Sequence, residues 1–207
     1  MKIISTIILF LLSSPLFAQI DTLMADSISR MAFRDKWVRH TVDSVFKKFG
    51  KDSPQWKQAW KDMEETDKSH APALNAILDK YWTYPGADKV GEDASHYFWQ
   101  LVLHQDKDTS LQMKTAVWMK LSVEGGQAPP NDYAYLVDRS LINRAKKQVY
   151  GTQCYYDPKK KKYVPNPIQD AANVDTRRRS MHLPVLSEYM SLMNNPKEKK
   201  KLQKPKE

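Results

Sequence analysis

Three clusters of polar residues in this chain have the types and spacing to move protons or to hold an anion. His104 and Asp106 stand two apart at the end of an apolar run, "ASHYFWQLVLHQDKD". An imidazole titrates close to neutral pH, so His104 could act as a general acid or base, with Asp106 or Asp138 orienting it or sharing its proton. Asp138 and Arg139 form the second cluster, inside "YLVDRSLI". The third is Tyr150, Gly151, Thr152 and Gln153, followed by Asp175, Arg177 and Arg178. The planar forks of Arg139, Arg177 and Arg178 suit a carboxylate or phosphate. Tyr150, Thr152 and Gln153 offer hydroxyls and an amide that could fix a ligand's orientation, and Gly151 permits a backbone conformation closed to other residues.

The same residues also have a structural reading. Buried charges persist when they are paired, so Asp138 and Asp175 could pair with Arg139, Arg177 or Arg178 and pin one element to another. On that reading the Gly-Thr-Gln stretch is a tight joint and Asp175 caps the "TRRRS" turn. The leading expectation is an exported binding or interaction module with a structural Asp–Arg network. The alternative is a small envelope enzyme acting on an anionic substrate, with His104 as its acid–base group. The corresponding partners are a small anionic ligand or an envelope protein.

Other chemistries have weaker support. His96, His104, Asp106 and Asp108 could gather three metal ligands, but no His-Glu-x-x-His or Cys-x-x-Cys spacing is present. No metal and no cofactor are expected. No Gly-x-Ser-x-Gly or Cys–His nucleophile signature occurs either. The formal charge of +9 invites a nucleic-acid reading, yet Lys2, the run Lys159–Lys162 and the tail "PKEKKKLQKPKE" carry the whole excess. A basic turn and a basic tail can touch an anionic surface, but they make no arginine-studded groove, and no nucleic-acid partner is expected.

The elements that must position these residues follow from periodicity. The chain opens with Met1-Lys2, an apolar run from Ile3 to Leu12 and "SSPLFAQ". This is the pattern of a secretory signal peptide cleaved after Ala18, too short for a transmembrane span. The expected organisation is a signal peptide over 1–18, one α-rich domain over 19–195 and a basic disordered tail over 196–207. No transmembrane segment remains in the mature chain, which is expected in the periplasm or outside the cell. Met24, Ile28, Met31, Val38, Val42, Val45 and Phe49 form one helical stripe, with Asp35 the polar residue in its seam. Gly50 ends that helix, and Ser53-Pro54 opens the next, which carries Trp56, Ala59, Trp60 and Met63 on one face.

Further helical runs are "PALNAILDKYW", "ASHYFWQLVLHQ" with Tyr97, Phe98, Leu101 and Val102 inward, "SLQMKTAVWMKLSVE", and "NDYAYLVDRSLINRAKK". "QVYGTQCYY" and "KKYVP" read as two strands joined by "DPKKK", an Asp-Pro turn. A short helix starts at Pro184. The fold class is mainly α, with one small hairpin in the C-terminal third. Tryptophans 56, 60, 82, 99 and 118 are expected in the core, with an exposed Trp56–Trp60 platform for a sugar or a partner protein as the alternative, and the single Cys154 is expected to be buried rather than a free thiol.

Taken in order, "YPGADKVGEDASHYFWQLVLHQDKD", "YAYLVDR", "YGTQ" and "NVDTRRRSMHLPVLSEY" resemble the signature of an uncharacterised bacterial family, domain of unknown function 6624. The likeness spans roughly Asp67 to Met190. The chain departs from the family pattern at "YWTYPG", where a Gly-Trp-Pro-like loop is usual, and at "MHLPVL", where Gly-Leu-x-Pro-Leu is usual. The resemblance implies an architecture and marks positions, but no reaction.

Overall fold

The computed structural model describes residues 19–195. The expected signal peptide and basic tail lie outside the described residues. Helix α1 (Thr22–Phe49) starts where the Asp21 carboxylate accepts a hydrogen bond from the Met24 N–H, and it stops at Gly50, whose φ of 81° few other residues adopt. Helix α2 (Pro54–Tyr81) is capped by the Ser53 hydroxyl and has proline at its first position. It runs unbroken through Pro72, joining two runs that the sequence reading kept apart.

The two long helices form an antiparallel pair. Asp21, at the start of α1, binds Tyr81 and Lys80 at the end of α2. Arg39, past the middle of α1, reaches Asp67 and Met63 of α2. Beyond that point Val42, Ala59 and Met63 form a small cluster of their own, with Val38, Val45 and Trp56 around it. The main core lies at the other end. There Ile28 and Ala32 of α1 and Leu74, Ile77 and Leu78 of α2 meet the short α3 (Ala87–Val90), α4 (Glu92–Leu103), α5 (Thr109–Glu124) and α6 (Pro130–Asn143) around Phe98, Leu101, Met119 and Leu136.

The C-terminal part holds strands β1 (Cys154–Asp157) and β2 (Lys162–Pro165), then α7 (Val174–Ser180) and α8 (Leu186–Asn194). The strands pair antiparallel, with Tyr156 opposite Tyr163. The fold is therefore mainly helical with one hairpin near the C-terminal end of the described chain, as the sequence reading expects. The first strand is much shorter than expected. Apart from a single parallel bridge between Gln148 and Ile168, Gln148–Gln153 is a loop, because Gly151 has a φ of +71° and the amides on either side of it point at one carboxylate rather than at a neighbouring strand. A Cβ at Gly151 would stand 2.9 Å from Ile168 Cδ1 and 3.1 Å from Leu186 Cδ1, so the position excludes a side chain by space as well as by φ.

Other expectations shift in detail. Helix α8 begins at Leu186, two residues beyond Pro184. Trp82 is not core: it caps α2 in the left-handed region and is 82% exposed. Trp60 and Tyr97 lie at the surface, whereas Trp99 and Trp118 pack against the core. Cys154 is half-buried, its thiol 3.5 Å from the Met190 sulfur, and burial pushes its pKa up to about 11.

A second histidine on α4 ties that helix to α6. His96 Nδ1 lies 2.8 Å from Asp132 Oδ2, and its ring lies against Trp99, whose indole N–H donates to the Asp132 carbonyl. The Asp132 hydrogen bond raises the His96 pKa against the opposing effect of burial. The pair therefore stabilises the fold fully below the unfolded-state value of about 6.5 and loses its effect as pH rises through the higher folded value. The ring is about half exposed, so the effect stays under roughly 1 kcal/mol. Thermal melts at about pH 5 and about pH 8 should show wild type losing more stability on going to the higher pH than His96→Gln does. Equal losses in the two proteins would remove the pair from the account.

Candidate functional site

His104 caps the C-terminus of α4, and its ring nitrogen Nδ1 lies 3.1 and 3.0 Å from the two carboxylate oxygens of Asp35. Asp35 occupies the polar place in the apolar seam of α1 and is buried. One turn later on the same helix, Arg39 donates through Nε to Asp35 at 2.9 Å and through Nη2 to Asp67 at 2.7 Å. One guanidinium thus bridges two carboxylates. Burial pushes both of those carboxyls up. At Asp35 the hydrogen bond from His104 and the charges of His104 and Arg39 outweigh burial, and its pKa falls below the ordinary value. At Asp67 burial wins over Arg39, and the neighbouring Asp35 charge adds to it, so its pKa is raised. Two carboxyls a short distance apart are pushed in opposite directions, an arrangement frequent in acid–base sites.

Asp106 follows His104 in the turn between α4 and α5. Arg139 of α6 grips it with both ends of its fork, Nε donating at 2.7 Å and Nη2 to the other oxygen. The Asn143 amide adds a bond at 2.9 Å. Burial raises the Asp106 pKa, but these donors overcome it and hold the group ionised. Arg139 also donates to the Gln153 amide oxygen at 3.3 Å.

His104, Asp106 and Arg139 line one side of a groove of about 840 Å³, and Arg39, Met63 and Asp67 line the other. The groove therefore runs between the α1–α2 pair and the rest of the molecule. Of the residues singled out in the sequence, it unites His104, Asp106 and Arg139, and Gln153 touches it through Arg139. Arg39 and Asp67 complete the groove, Asp35 is bonded to Arg39 behind it, and none of the three carries a site motif in the sequence. The signal was present in α1, where one aspartate interrupts an otherwise apolar stripe and an arginine follows four residues later.

The remaining residues gather around Val149–Thr152, away from the groove. Asp138 is fully buried and does not orient His104; Asp35 does that. Its oxygens accept from the backbone N–H groups of Val149 at 2.7 Å, Tyr150 at 3.0 Å and Thr152 at 2.9 Å, and from the Thr152 hydroxyl at 2.9 Å. Arg178, also fully buried, grips the same stretch by its carbonyls. Its Nη1 donates to Tyr150 at 2.7 Å and to Gly151 at 3.3 Å, its Nε donates to Pro184, and its plane lies 4.9 Å from the centre of the Tyr189 ring. Burial lowers the Arg178 pKa.

Arg177 donates to the carbonyls of Val149, Gln169 and Asp170. Asp175 accepts from the Leu186 N–H at 2.7 Å, capping α8 rather than its own turn. Tyr150 packs with Ala134 and Leu183, and burial pushes its phenol up to about 12. The buried Gln148 side chain, which the sequence reading left out, binds the Gln153 N–H and carbonyl like a strand neighbour. The expected pairing of Asp138 with arginine is replaced by two separate grips on the backbone. A carboxylate holds the N–H groups and a guanidinium holds the carbonyls, because a φ of +71° at Gly151 turns them outward from any strand partner.

Residues 24–201 match the model of a family described as a family of unknown function, DUF6624. No curated protein and no solved structure matches the chain.

Proposed function

This chain belongs to the DUF6624 family of unknown function, and we propose that it is an exported domain that binds a small polar ligand in the groove beside His104 and moves a proton there. The observation that carries this reading is the Asp35–His104 pair. A buried carboxylate on Nδ1 fixes the ring's orientation and tautomer at the groove wall, which is what a general acid or base requires. Export rests on the apolar run Ile3–Leu12 and the small-residue exit after it; recovery of native protein with Met1 intact would overturn that part.

The ligand's character follows from the groove's charges. Arg39 is held by Asp35 and Asp67, and Arg139 by Asp106. A bare anion would have to displace a carboxylate, so a ligand carrying both hydrogen-bond donors and acceptors fits better. A second reading, a binding domain without chemistry, draws on the same observation, since arginines already neutralised serve recognition as well as catalysis.

A thermal-shift screen of small polar compounds tests the reading. A ligand at a hundred times its dissociation constant adds about 2.7 kcal/mol of stability. That gain should disappear in Arg139→Ala, and any turnover should fall by about 10²–10⁴ in His104→Gln. A ligand that binds but is returned unchanged favours the binding domain. A hit that stabilises both variants as strongly as wild type places the site elsewhere.

A further inference from the structure

We infer that the β1–β2 hairpin is a docking tip for an anionic lipid surface. Lys159, Lys160 and Lys161 occupy its turn and Lys162 opens β2 beside it, and all four are exposed. The turn is built, not slack: the Asp157 carboxylate accepts from the Lys159 N–H at 2.9 Å and the Lys160 N–H at 3.1 Å, and Lys161 takes a left-handed φ of 50°. Asp157 is the one acidic residue in the hairpin; besides those two amides it meets Lys160 Nζ at 3.8 Å, and with four lysines against it the tip still presents a concentrated positive charge.

Tyrosines flank the lysines. Tyr156 and Tyr163 stand opposite each other on one face, their rings edge-to-face at 5.6 Å, and Tyr155 projects from the other face. They are 53%, 37% and 49% exposed, although ring area of this size is usually buried. Tyrosine belongs at the boundary of water and hydrocarbon, and clustered lysines are drawn to anionic headgroups within about one Debye length. A nucleic-acid strand needs a groove that follows its backbone, which a projecting two-stranded tip does not provide. A plane of headgroups is a surface into which a tip can dip. Behind the tip, Asn194 at the end of α8 bonds the Tyr163 backbone through N–H and carbonyl, which fixes the hairpin to the body.

Co-sedimentation of the full chain with vesicles tests this directly. The protein should pellet with phosphatidylcholine–phosphatidylglycerol vesicles and not with phosphatidylcholine alone, and added salt should release it. Joint substitution Lys159→Gln, Lys160→Gln, Lys161→Gln and Lys162→Gln should weaken binding at least about tenfold with the melting temperature unchanged. Joint Tyr156→Ser and Tyr163→Ser should weaken it severalfold, while His104→Gln should leave it intact. The inference fails if the mixed vesicles do not bind. It fails if the glutamine variant binds as wild type does while deletion of residues 196–207 abolishes binding, which would assign the charge effect to the tail. It also fails if the serine variant binds vesicles normally and single-stranded oligonucleotide or polyphosphate binds as tightly as vesicles, which would make the partner a soluble polyanion.

Discussion

Arg178→Ala should cost about 3–5 kcal/mol of stability, and Asp138→Ala a similar amount, the range for stranding the partners of a buried charge. Without Arg178 the carbonyls of Tyr150, Gly151 and Pro184 lose their donor, and the Tyr189 ring loses the guanidinium that covers it. Without Asp138, three backbone N–H groups and a hydroxyl lose their acceptor, at roughly 1–3 kcal/mol for each donor left buried and unpaired. Arg178→Lys should recover only part of the loss, since an ammonium lacks the fork that spans two carbonyl positions.

The two grips act on the same loop, so the double variant should lose less than the two single losses added together. Once one side is gone the loop loosens, and the other grip has less to hold. A double-mutant cycle by urea denaturation should give a coupling within about 0.5–3 kcal/mol. Additive, near-neutral changes would show that the loop is held by something else.

Asp35→Asn should affect the groove most strongly. The substitution keeps the shape, but it removes the charge that faces His104 Nδ1 and Arg39 and offers an N–H group in place of one carboxylate oxygen. Stability should fall by about 1.5–3 kcal/mol, the range for a hydrogen bond to a charged group. Any reaction that uses His104 should fall by about 10²-fold or more, because the ring loses the acceptor that fixes its tautomer. Its acid profile supplies a second readout. The Asp35 pKa is lowered in the fold. Its stabilising effect is therefore present above the unfolded value of about 3.9 and is lost as pH falls through the folded value. The asparagine variant should lack that component of acid unfolding. If both proteins acid-denature alike and turnover survives, Asp35 is only a packing residue.

Local signals in the sequence were sufficient for the elements that depend on neighbours. Gly50, Ser53-Pro54 and the "DPKKK" turn each act within a few residues, and each stands where the pattern puts it. The stripe of α1 showed its face, and even its defect at Asp35. What that defect is for could not be read, since its partner His104 lies 69 positions away and only the packing of α4 on α1 brings them together. The same limit explains Asp138. An aspartate near arginines suggests a salt bridge, but its actual partners are backbone amides, which every residue but proline carries and which leave no mark in a sequence. Gly151 was legible as a special position. That it turns the amides and carbonyls toward opposite charges depends on α6 and α7 lying on either side of it.

The small cluster of Val42, Ala59 and Met63 has a dynamic consequence. Helix α1 is 28 residues long, about 42 Å at 1.5 Å per residue, and the main core grips only its first half. The far end of the α1–α2 pair is an arm held by one modest patch. Its amides should exchange with solvent through local opening, well before those of Ile28 or Leu74, which require the whole domain to unfold. Arg39, Met63 and Asp67 lie where the arm leaves the body and form one wall of the groove, while His104 and Arg139 form the other. Any flexing of the arm would therefore change the width of the groove. The Asp35–Arg39–Asp67 bridges tie α1 to α2 within the arm, and the Asp35–His104 contact joins that wall to the other, so it limits how far the two walls can part.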